Sequence, residues 1–183
     1  MNVLRDYLDE DSITVILANG DKYDIKLLSK KITGWNGCAQ WASRKGHLNV
    51  LKYIRSLELP IRWIMCINYA SFYGNTECVD FVFSDILTGN IEEFDRMDCF
   101  YYAIEGGNLE IVKILEPKQG EDIKPWWGDY MAHAARFRHL ELVKHFGKKY
   151  IDSGMNHGNV NQYMKEVKKG GDFHIIEYMK TIF

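Results

Sequence analysis

The chain has 183 residues, 46% of them hydrophobic and 26% charged, which is enough apolar material for one domain to bury a continuous core without disulfide or metal staples. A formal charge of -2 and a pI near 6.3 remove the global electrostatic reason to expect nucleic acid or an anionic membrane as the main partner. The four cysteines form no C-x-x-C pair, no apolar run approaches the roughly 18–20 residues of a membrane span, and three prolines without a low-complexity tract give no sign of a disordered linker.

The opening MNVLRDYLDE has neither the apolar run nor the cleavage site of a secretory signal, so a soluble protein in a reducing, cytoplasmic compartment is expected. ITVILA at 13–18, followed by Asn19-Gly20 and then DKYDI, predicts a β-hairpin, because Asn-Gly between β-branched runs suits a two-residue turn. A short helix at 27–32 follows. Residues 1–33 are thus expected to be a β-hairpin and capping helix that hide the apolar end of what comes next.

From there the chain repeats itself. KGHLNVLKYI, YGNTECVDFV, GGNLEIVKIL, FRHLELVKHF and GGDFHIIEYM begin at Lys45, Tyr73, Gly106, Phe137 and Gly170, at spacings of 28, 33, 31 and 33. The second position of each is Gly, or Arg138 in the fourth copy, and apolar residues are expected at offsets two, four, five and eight from it, the pattern of a helix with one buried face. The Gly predicts a left-handed residue closing one helix, and the His47, Asn75, Asn108, His139 and Asp172 that follow predict N-caps of the next.

Counting back four residues from each turn position gives Ala42, Ala70, Ala103, Ala134 and Val167, small enough for close helix packing. Eight residues back stand Cys38, Cys66 and Cys99, which this shared slot marks as packing residues. Eleven residues back stand Trp35, Trp63 and Trp127, anchors at the entry to each first helix.

A-x-x-x-G-H-L-x-V-L-K-Y at 42–53 and A-x-x-x-G-N-L-E-I-V-K at 103–113 resemble ankyrin repeats, and the likeness covers residues 34–183. It is similar to the divergent type, with Trp ahead of the first helix and Cys at its start, that is common in large DNA viruses and some protists. The resemblance implies a mainly α fold, an ankyrin-like helix-turn-helix solenoid of about five repeats behind the N-terminal β-hairpin cap. The T-P-L-H segment of standard units is absent from every copy, so short or missing β-finger turns are expected.

The resemblance also implies a concave surface that binds another macromolecule, usually a protein, with no shared catalytic chemistry or cofactor. Its columns five, two and one before the turn position give Trp41, Arg44 and Lys45; Tyr69, Phe72 and Tyr73; Tyr102, Glu105 and Gly106; His133, Arg136 and Phe137; and Glu166, Lys169 and Gly170. Aromatics and Arg are the residues that make binding hot spots, so a protein partner is expected there, centred on Tyr69, Phe72, Tyr73 and Tyr102. The likeness to viral repeats narrows the expectation to a monomeric viral or phage inhibitor of a host defence or degradation factor, acting by occlusion or scaffolding.

Charge is uneven along the chain, with seven acids against Arg96 over 77–98 and seven lysines against four acids over 144–183. No nucleophile–base pair, phosphate-binding Gly loop or zinc spacing is present, so an enzyme is not expected. His133, His139 and His145 lie six apart, on different helical faces rather than in a metal-ligand set. Two alternatives stand beside the protein-binding reading. The aromatic and basic columns could stack bases and contact phosphates, although the balanced charge disfavours nucleic acid. The segment at 13–32 resembles the opening of a BTB-type fold, which implies a ubiquitin-ligase adaptor but needs more residues than remain before Trp35.

Overall fold

The structure, a computed structural model, describes residues 34–87, 93–116, 127–154, 160–170 and 172–182. The expected hairpin and capping helix at 1–33 lie outside the described residues, as does the fifth turn position at 171. The described residues are mainly helical and contain no strand. They form α1 (Trp35–Lys45), α2 (Leu48–Ser56), α3 (Trp63–Phe72), α4 (Thr76–Asp80), α5 (Glu93–Glu105), α6 (Leu109–Leu115), α7 (Trp127–Arg136), α8 (Leu140–Asp152), α9 (Val160–Gly170) and α10 (Phe173–Ile182). A π-helical stretch, Phe81–Ile86, continues α4. The connection 57–62 is described and carries no β-finger.

The chain divides into two compact units, Met1–Ile91 and Glu92–Phe183. In the first, α1 pairs with α2 and α3 with α4, while α1 packs on α3 and α2 on α4. In the second, the pairs are α5 with α6, α7 with α8 and α9 with α10; α5 packs on α7, α7 on α9 and α8 on α10. First helices therefore stack on first helices within each unit, as expected when no single pair can bury its own apolar face.

The helix-to-helix turn is built the same way four times. Gly46, Gly74, Gly107 and Arg138 take φ of 76°, 75°, 75° and 66°. In each, the next residue's N–H reaches back five positions: His47 to the Ala42 carbonyl at 2.9 Å, Asn75 to Ala70 at 2.9 Å, Asn108 to Ala103 at 3.2 Å and His139 to Ala134 at 3.0 Å. The left-handed residue itself donates to the carbonyl three before it, as Gly107 does to Ile104 at 3.1 Å. This is the Schellman arrangement, which satisfies the orphan carbonyls at a helix end. The small residue of the repeat is thus the acceptor of the turn as well as a packing position, and Ala42, Ala70, Ala103 and Ala134 are all fully buried.

After the turn, offsets four, five and eight form the core of the first four second helices, Val50, Leu51 and Ile54; Cys78, Val79 and Val82; Ile111, Val112 and Leu115; Leu142, Val143 and Phe146, whereas in α10 Ile175 and Met179 are buried and Ile176 is half-buried. Each such side chain contributes about 1.5–3 kcal/mol on burial. Offset two departs from expectation, being half-covered at Leu48, Leu109 and Leu140 and 69% exposed at Phe173, because it sits in the first turn beside the loop. The cysteine slot is core, with Cys38, Cys66 and Cys99 at most 1% exposed and all reduced. The same slot holds buried Tyr130 and Tyr163 in the next two repeats. Trp127 is buried and stacks on Phe146 at 6.1 Å, whereas Trp35 and Trp63 are half-buried.

The polar residue after the turn does two different jobs, which corrects the uniform N-cap expectation. Asn108 and Asp172 do cap, accepting from Ile111 N at 2.9 Å and Ile175 N at 3.1 Å. Asn75 instead turns to the preceding repeat, where its Nδ2 donates to the carbonyls of Ser43 at 2.7 Å and Arg44 at 2.9 Å. His139 does likewise: its Nε2–H donates to the Glu105 carbonyl at 3.0 Å, which fixes the tautomer because a carbonyl only accepts. His47 makes no side-chain cap bond. These ties add a steric reason for glycine in the preceding turn to the conformational one. A Cβ on Gly46 would lie 2.8 Å from Asn75 Oδ1, and one on Gly107 would lie 2.5 Å from the His139 ring.

Candidate functional site

The last turns of the first helices carry the candidate columns, and the Schellman turns and inter-repeat ties set their position. None of Trp41, Arg44, Lys45, Tyr69, Phe72, Tyr73, Tyr102, Glu105, His133, Arg136 and Phe137 is buried. Trp41, Tyr69, Glu105 and His133 are half-buried and the others are exposed. Six large hydrophobic side chains are exposed among the described residues, and Phe72, Tyr73, Tyr102 and Phe137 are four of them.

In the first unit the columns of adjacent repeats meet. The Arg44 guanidinium carbon lies 4.8 Å from the Tyr73 ring centre, so a cation of the first repeat covers an aromatic of the second. Lys45 Nζ lies 5.6 Å over Trp41, whose other neighbour is the His47 ring at 5.4 Å. Phe72 meets Tyr73 edge to face at 5.0 Å. Burial pushes the His47 imidazole below its ordinary value, and the adjacent Lys45 charge pushes it the same way.

The second unit builds a different chemistry from the same columns. His133 Nε2–H donates to Glu105 Oε1 at 3.2 Å, between consecutive repeats, while its ring packs against Tyr101 at 4.9 Å and Phe137 at 5.0 Å. Arg136 lies 6.0 Å over Phe137. Burial outweighs the Glu105 hydrogen bond and charge, so the His133 pKa is lowered, with Arg136 adding to the fall. Tyr69 and Tyr102 belong to the expected centre, yet among the described residues neither enters a ring contact with its neighbours.

Sequence reasoning missed Tyr101, one residue from a chosen column, and gave His47 only a capping role; Tyr101 braces His133 and His47 braces Trp41, contacts for which helical spacing alone gives no signal. A second cluster joins repeats away from these columns. Glu116 at the end of α6 accepts from His145 Nε2 and pairs with Lys149 at 2.9 Å, and Lys149 also lies 4.9 Å over Trp127. Its groups satisfy one another, which marks it as an inter-repeat tie.

Burial holds Cys66 and Cys78 in the protonated thiol form. Burial pushes Cys66 up to about 12, against a weaker opposing hydrogen bond from Ser43, and pushes Cys78 up to about 11. Among the described residues no group of three His, Cys, Asp or Glu side chains could hold a metal ion, and no helix is long and apolar enough to cross a membrane. His133, His139 and His145 go to separate partners: a carboxylate, a backbone carbonyl and a second carboxylate. Comparison with known protein families and with curated proteins matched nothing to this chain.

Proposed function

We propose that this chain is a divergent ankyrin-like binding module, not an enzyme, and that it acts by occupying a surface of a partner protein through the last turns of its first helices. One observation carries the reading: four of the six exposed large hydrophobic side chains fall in columns that the repeat assigns to no packing role. Isolated exposed apolar residues are ordinary, but these four all stand in the last turns of the first helices, Phe72 two, Tyr73 and Phe137 one and Tyr102 five residues before the turn, which is how a face presented at those helix ends would be built. The repeated turns, inter-repeat ties and buried Ala and Cys slots supply the rigid support such a face requires. Occlusion of a host factor by a cytoplasmic protein of viral or phage origin is the narrower form of the proposal, resting on the likeness to viral repeats alone.

The test is affinity capture from the native cell, comparing the natural protein with a Phe72→Ala/Tyr73→Ala variant. Both side chains are exposed, so the variant should unfold at nearly the same midpoint and lose the captured protein. A folded variant that captures the same protein equally well places the binding face elsewhere.

A further inference from the structure

The first unit's columns carry two cations and no acid, whereas in the second unit's columns Glu105 and Arg136 offset each other. Neither α1, α2 nor α3 contains an acidic residue, and Arg44 and Lys45 close α1 side by side. Among the described residues neither cation is paired with a carboxylate, whereas Glu105 stands in the corresponding column of the second unit, bound to His133. The Arg44 side chain is held by its stack on Tyr73, and its backbone carbonyl by the Asn75 amide. A guanidinium fixed by one face keeps its N–H edges for a planar acceptor, and a carboxylate fits that fork with two parallel hydrogen bonds.

What the rings leave open decides between ligand classes. A nucleic-acid strand would need free π-faces for its bases and a row of cations for its phosphates. Here one face of Tyr73 is taken by Arg44, Trp41 is flanked by His47 and Lys45, and Phe72 meets Tyr73 edge to face. The exposed parts of Phe72 and Tyr73, at 38% and 44%, remain as an apolar contact for a side chain.

We propose that the α1–α3 face binds an acidic peptide segment, carboxylates on Arg44 and Lys45 and an aromatic or aliphatic side chain on Phe72 and Tyr73; this rests on the reading of the columns as a protein-binding face. The assay is fluorescence anisotropy on the full chain with three labelled probes. One is a pool of short peptides in which Glu or Asp alternates with Phe, Trp or Leu; another is the same pool with Lys for the acids; the third is an oligo-dT strand. The acidic pool binds and the other two do not, and Arg44→Gln/Lys45→Gln weakens it by roughly tenfold or more, the loss expected for charge-assisted hydrogen bonds. Absence of binding by the acidic pool, equal binding by the charge-neutralised variant, or tighter binding of oligo-dT overturns the proposal. If the lysine pool is held instead and Phe72→Ala/Tyr73→Ala releases it, the face stands and its acidic preference is wrong. If the aromatic pair changes no bound probe, the face itself is wrong.

Discussion

Arg138 occupies a position where the other four repeats have glycine, and it adopts the left-handed conformation of Gly46, Gly74 and Gly107, at φ 66°. An L-residue there meets its own Cβ against the following carbonyl, which costs roughly 1–2 kcal/mol. The turn forms nonetheless, because its hydrogen bonds from Arg138 N to Ala135 and from His139 N to Ala134 are both made. The Arg138 side chain is exposed, so the interaction it makes is weakened by solvent and is worth less than the backbone strain. Arg138→Gly should therefore stabilise the protein by about 1 kcal/mol, after subtracting the larger backbone entropy glycine brings to the unfolded chain. Chemical denaturation checks it; an unchanged or lower midpoint means that the exposed side chain's own interactions outweigh the backbone strain.

Ser71 makes the same kind of argument in reverse. It is three residues before its turn, as Ser43 is, and both are fully buried. Ser43 satisfies its hydroxyl on the Ala39 carbonyl at 2.8 Å, whereas the Ser71 hydroxyl has no hydrogen-bond partner among the described residues. An unpaired buried hydroxyl carries a desolvation cost of about 1–3 kcal/mol. Ser71→Ala should raise stability by about 1 kcal/mol and Ser43→Ala should lower it, so a pair of denaturation curves that move in opposite directions is the expected result.

At the scale of elements, the second helices were legible because burial at offsets four, five and eight needs only apolar identity, which the sequence prints. The turns were legible because glycine has few other reasons to recur there. The task of the residue after the turn was not, since Asn can accept from its own helix, as Asn108 does, or donate to the preceding one, as Asn75 does. Nothing in the local sequence chooses between them. Tyr130 and Tyr163 share the cysteine slot by position but not by residue type, so identity alone does not mark them, and the π-helical continuation of α4 has no signature in YGNTECVDFV. Among the candidate columns, exposure followed from repeat position, whereas the pairing of Glu105 with His133 required knowing how two repeats dock.

That docking carries a pH dependence. His47 and His133 are both pushed below 6.5 by burial, so the folded state favours their neutral forms. The stability they contribute is complete above pH 6.5 and is lost as pH falls through their lowered folded values. Asp129 acts with the opposite sign, since burial raises its carboxyl above 3.8, but its window lies around the carboxylate range. Between pH 7.5 and 5.5 the denaturation midpoint should therefore fall, and His47→Gln/His133→Gln should flatten the decline. A midpoint that rises toward pH 5.5 in the natural protein contradicts the burial of these rings.

Over the whole molecule, the repeat sorts side chains into two classes that lie a few residues apart on the same helices. In the first four repeats, offsets four, five and eight, with the Ala and Cys slots, fill the core of each unit, and the columns five, two and one before the turn touch solvent. Ile54, Ile111 and Leu142 are fully buried, and truncating any of them to Ala removes a packed side chain and leaves a cavity, at about 2–5 kcal/mol. Phe72, Tyr102 and Phe137 are 38%, 38% and 37% exposed and sit at the helix ends, so their truncation should change stability by no more than about 0.5 kcal/mol. An alanine scan read twice, by denaturation and by partner capture, should give nearly complementary profiles, the core columns moving the first and the Phe72 and Tyr73 positions the second. Strip residues as destabilising as Ile111 would mean that these aromatics hold the repeats together, and the surplus apolar surface would then need no partner to explain it.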